Sequence, residues 1–113
     1  MEQATQLETI EISMAHAKEQ MAMRDALVNL QKSSDFQLLI LDGYFTDEAG
    51  RVVMLKSDPS MQGAEQQESL DKAIIAIGGL DQYLRKVYAM GNMAERTLRA
   101  DAETLEEILQ EDI

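Results

Sequence analysis

The stretch LDKAIIAIGGLDQYLRKVYAMGNMAERTLRADAETLEEI, residues 70–108, decides how this chain folds. Steps of three and four pick out Leu70, Ala73, Ile77, Leu80, Leu84, Val87, Gly91, Ala94, Leu98, Asp101, Leu105 and Ile108. That alternation is the mark of a helix presenting one narrow apolar seam, and Asp101 is its single misfit. A helix over 64–110 would be roughly 70 Å long at about 1.5 Å per residue, and it needs a partner along its length.

Working outward, Pro59 to Gly63 is the clearest break, a loop that lets the chain reverse. Before it, Leu7, Ile10, Met14, Ala17 and Met21 repeat the seam spacing in a first long helix over 5–31. The apolar positions then slip to Met23, Leu27 and Leu30, as in a stutter or a change of packing partner. Residues 35–57 form short helices at the reversal, with Ser33 or Ser34 as N-cap. Phe36, Leu38, Leu39, Ile40 and Leu41 are apolar enough for a buried helix or a buried strand, and the lack of a pairing strand favours helix. Gly43 would close it, Gly43-Tyr44-Phe45 would turn, and Thr46 would cap a third helix. A hairpin over 44–55 is the competing reading. The predicted fold is a single all-α domain, 1–113: a helical hairpin of two long helices with a small helical head.

Composition supports this. Apolar residues make up 45% and aromatics only 4%, with eight methionines, a balance that suits helices better than sheet. Twenty-one acids against ten bases give a net charge of −11, which argues against direct nucleic-acid binding and against an anionic membrane surface. There is no cysteine, no apolar run of membrane-spanning length and no signal-peptide start, so the reading is a protein that is not secreted.

No constellation suits catalysis. His16, the only histidine, has Glu19 as its one local acid and reads as a solvated or interface residue. Glu103 and Glu107 share a helix face but lack the second ligand set of a bundle metal site. No phosphate-loop Lys-Ser/Thr follows Gly78-Gly79. Either the long helix bends or breaks at these glycines, or Gly79, Gly91 and Ala94 let another helix approach closely, which the seam positions of Gly91 and Ala94 favour. Arg85, Arg96 and Arg99 are placed to meet acids of a neighbouring subunit, and the methionines fill an adaptable core or contact surface. The predictions are therefore no enzyme, no cofactor and no metal. The contact seam is Ile77, Leu80, Leu84, Val87, Gly91, Ala94 and Leu98.

Three segments carry a resemblance: Gly43-Tyr44-Phe45-Thr46-Asp47-Glu48-Ala49, Asp58-Pro59-Ser60-Met61-Gln62 and Gly79-Leu80-Asp81-Gln82-Tyr83-Leu84-Arg85. Together they resemble a group of small, acidic, helical proteins of tailed bacteriophages, often encoded among virion genes. The resemblance covers about residues 7–110 and brings no active-site residues. It implies a virion-associated or assembly protein, in the virion or the host cytoplasm, that contacts a capsid, portal or tail protein, itself, or both. The acidic run from Asp101 to Asp112 motivates an alternative, a small inhibitor that imitates DNA in the groove of a host enzyme.

Overall fold

A computed structural model describes residues 2–111, and every element among them is helical. Helix α1 is Glu2–Gln31 and α2 is Ser34–Phe36. A π-helical stretch, Gln37–Glu48, leads into α3, Ala49–Lys56. A 3-10 turn, Pro59–Met61, precedes α4, Ala64–Glu111. Two long helices joined through shorter helical segments make the chain an all-α helical hairpin, as the sequence predicts. It comprises two compact units: residues up to Leu27 with those from Lys86 onward, and Val28–Arg85.

In the first unit α1 and α4 run antiparallel, with Ala17, Leu27, Val87 and Ala94 buried. Leu7, Ile10, Met14 and Met21 are half-buried beside them, as their spacing predicts. The predicted slip after Met21 does not occur. Met23 and Leu30 are 44% and 47% exposed, and the inward face continues through Arg24 to Leu27. Beyond Met21 a charged residue holds the next inward position, and buried Leu27 and half-buried Val28 follow it.

The second unit opens with Ser33, whose backbone is extended and whose hydroxyl accepts from the Phe36 N–H. From Ser34 the chain then stays helical to Lys56. Gly43 therefore ends no helix, Gly43-Tyr44-Phe45 makes no turn, and Thr46 caps nothing. The Thr46 hydroxyl instead donates to the Leu41 carbonyl, five residues back, at 3.0 Å. No hairpin forms over 44–55, and no strand exists among the described residues.

The winding follows the spacing of the inward positions. Phe36, Ile40, Tyr44, Glu48 and Val52 are half-buried or buried at steps of four, a step longer than the 3.6-residue α turn. Hydrogen bonding from i to i+5 puts more residues into each turn than the α-helix has, and Leu41, Phe45 and Ala49 are half-buried beside the series. The same winding turns Leu38 and Leu39 outward, 65% and 67% exposed, so the dense apolar run at 36–41 is not a buried segment. Val52, at 1% exposure, anchors this side.

Side chains finish what the backbone leaves open at the reversal. The Lys56 carbonyl, orphaned at the end of α3, accepts from the Gln62 and Gln67 amides at 3.0 and 3.1 Å. Lys56 Nζ in turn reaches Gln67 and pairs with Asp71. Asp58 caps the 3-10 turn, accepting from the Ser60 N–H at 2.8 Å and its hydroxyl at 2.7 Å. These bonds hold the Asp58 carboxyl below its ordinary pKa, the backbone donor first. At the start of α4 the Gly63 N–H donates to the Gln66 side chain, half of a capping box. Helix α4 then passes through Gly78 and Gly79 without interruption.

Candidate interaction surface

Most of the predicted contact seam is covered by the chain itself. Ile77, Val87, Gly91 and Ala94 are buried, Leu84 and Leu98 are half-buried, and Leu80 alone is exposed, at 37%. A test of that seam as a contact surface by Leu84→Asp, which buries an unpaired charge, would therefore strike the hairpin before any partner. What remains open to another molecule is the outer surface.

Two polar layers cross the seam in the first unit. Ser13 Oγ donates to Asp101 Oδ2 at 2.6 Å, so the one acidic misfit of the seam has its partner on α1. The second layer is Arg24, whose side chain is only 12% exposed. Its Nη1 donates to the Gly91 carbonyl at 3.3 Å, to Asn92 Oδ1 at 3.0 Å and to Glu95 Oε2 at 3.2 Å. Nε and Nη2 both donate to Asp25 Oδ1 at 3.1 Å. The hydrogen bond with Asp25, followed by the charges of Asp25 and Glu95, raises the guanidinium pKa further, against desolvation. The pairs 13/101 and 24/91 keep one antiparallel register, since eleven residues forward on α1 match ten back on α4.

Gly91 explains how Arg24 fits. A Cβ there would lie 2.2 Å from Arg24 Cβ and 2.8 Å from its Cγ and Cδ, so the glycine is what lets the arginine cross. Close approach is thus correctly anticipated at Gly91. At Gly78 and Gly79 a Cβ would meet nothing within 4 Å. Arg24 and Ser13 are missed by a reading that follows apolar residues only. The signal for Arg24 was the seam rhythm continued regardless of residue type, whereas Ser13 lies one residue off that rhythm, beside Met14.

The remaining candidates lie apart. His16 is exposed at the edge of a shallow groove of about 210 Å³, beside Gln20, Met90 and Met93. Glu103 and Glu107 are exposed, and no three potential metal ligands cluster among the described residues. Arg85 pairs with Asp81 on its own helix at 2.8 Å. Arg96 and Arg99 take part in no ion pair among the described residues. Of the acidic run, Asp112 lies outside the described residues.

No described helix is long and apolar enough to cross a membrane. No protein-family model, curated protein or solved structure matches the chain.

Proposed function

We propose that the chain is a non-enzymatic helix–helix contact protein, a virion-associated or assembly component of a tailed phage. The supporting observation is the balance of its apolar surface. Among the described residues seven apolar side chains are buried, while thirteen large ones are exposed, Ile12, Leu38, Leu39, Met54 and Ile75 by 65% or more. Single exposed leucines are ordinary, and thirteen large apolar side chains on so short a chain offer a partner apolar surface to cover. The phage assignment draws on the resemblance in residues 43–49, 58–62 and 79–85. The partner in this reading is a capsid, portal or tail protein, itself, or both, and the protein resides in the virion or the host cytoplasm.

The test is mass spectrometry of purified particles of the phage encoding the chain. Stoichiometric presence supports the reading. Absence overturns its virion-associated form and transfers weight to the acidic-inhibitor alternative. Glu103, Glu106, Glu107 and Glu111, all exposed and in no ion pair among the described residues, favour that alternative.

A further inference from the structure

The outer face of α4 in the first unit carries a second rhythm of three and four: Arg96, Arg99, Glu103, Glu106. All four are exposed, on the side away from Ala94, Leu98 and Leu105. Two features set them apart from the other charges of α4. Lys72 pairs with Glu68 and Arg85 with Asp81, each an acid four residues earlier, whereas Lys86, Arg96 and Arg99 take part in no ion pair among the described residues. The residues four before Arg96 and Arg99 are Asn92 and Glu95, and both are held across the hairpin by Arg24. Neither is thus free for its arginine, and Arg99 has only Glu103, one turn on along the same helix, as another acid at pairing distance in sequence. Moreover, Glu103 and Glu106 lie near the C-terminal end of α4, where the helix dipole gives an acid no support, so local helix stability does not account for them.

The pattern is complementary to itself when reversed. Arg99 and Glu103 are equidistant from position 101, and so are Arg96 and Glu106. We propose that this face binds a second copy of the chain, antiparallel and about a two-fold axis at the level of residue 101. Arg99 of each copy then meets Glu103 of the other, and Arg96 meets Glu106, four ion pairs in all. The interface is isologous and closed, as a two-fold contact must be. Ala100 and Ala102, exposed on the two flanks of this face, add little bulk beside it. Parallel pairing in register would set like charges together, so the pattern selects one orientation. This names a partner within the helix–helix contact reading and rests on that reading.

Sedimentation equilibrium on four forms of the whole chain tests it, with circular dichroism checking that each stays helical. The unaltered protein is expected to dimerise. Arg96→Glu with Arg99→Glu should weaken dimerisation at least about tenfold, by turning four attractive pairs repulsive. Glu103→Arg with Glu106→Arg should weaken it as much, although that variant lowers the overall negative charge. An equimolar mixture of these two variants should dimerise, and so should the variant bearing all four exchanges. A monomeric unaltered protein, or reversals that leave its dimer intact, would overturn the proposal. Either result leaves the particle measurement, and with it the contact-protein reading, to stand or fall separately.

Discussion

Arg24 crosses Gly91 so closely that a methyl group on the glycine would stand 2.2 Å from the arginine Cβ. The nearest atom is the root of the side chain, which cannot swing aside, so the two helices would have to part. Gly91→Ala is expected to destabilise the protein by about 1–3 kcal/mol, overriding alanine's better helix propensity. Gly78→Ala and Gly79→Ala, with open space around the new methyl, should each stabilise by up to about 1 kcal/mol. Urea unfolding of the three variants checks both signs together.

Ser13 and Asp101 form a polar layer in an otherwise apolar seam. Ser13→Ala should cost about 1–2 kcal/mol, because it strips a half-buried carboxylate of its donor. Adding Asp101→Leu to that variant should recover most of the loss, since the layer then becomes uniformly apolar. A double-mutant cycle that instead shows additive losses would mean that the two residues do not act as a pair.

The capping bonds to Asp58 lower its pKa in the folded chain, so folding favours the ionised form. Its contribution is complete above the unfolded-state pKa of about 3.9 and declines as pH falls through the lower folded value. Asp58→Ala should therefore lower the melting temperature at neutral pH, with the gap to the unaltered protein closing in acid. Glu48, its pKa lowered by the hydrogen bond from Arg51, adds to stability with the same sign.

Val52 is the most completely buried large side chain described. Val52→Ala removes two carbon groups and should cost roughly 2 kcal/mol, at about 0.8 per buried carbon plus a cavity contribution. Val53→Ala, one residue on and 55% exposed, should fall within about 0.5 kcal/mol of neutral. Chemical denaturation of the two variants makes the comparison.

The hairpin was legible because Leu70 to Ile108 keeps one helical rhythm over ten turns, and nothing but a long helix satisfies that. The break at Asp58-Pro59 was equally plain, proline there excluding helix in the residue before it. Arg24 was not legible, because an arginine between Met21 and Leu27 looks like a solvated residue until Gly91 is seen beneath it. The segment from Phe36 to Glu48 misled for a different reason. Its glycine and threonine carry turn and cap signals, yet its inward residues recur every four, a period that templates of 3.6 and 2 do not register. The orientation of the Leu70–Ile108 seam could not be read at all. Periodicity identifies a face that will be covered, but not whether the cover is the same chain.

The π-helical winding between Gln37 and Glu48 has a mechanical meaning. With more residues in each turn, the stretch is shorter than the same twelve residues wound as α-helix. It is a coil with length in reserve. Rewinding it from i+5 to i+4 hydrogen bonds would extend the segment and rotate α3 about its axis, carrying Val53 and Met54 to a new bearing. No covalent bond of the chain would break and no residue would be added.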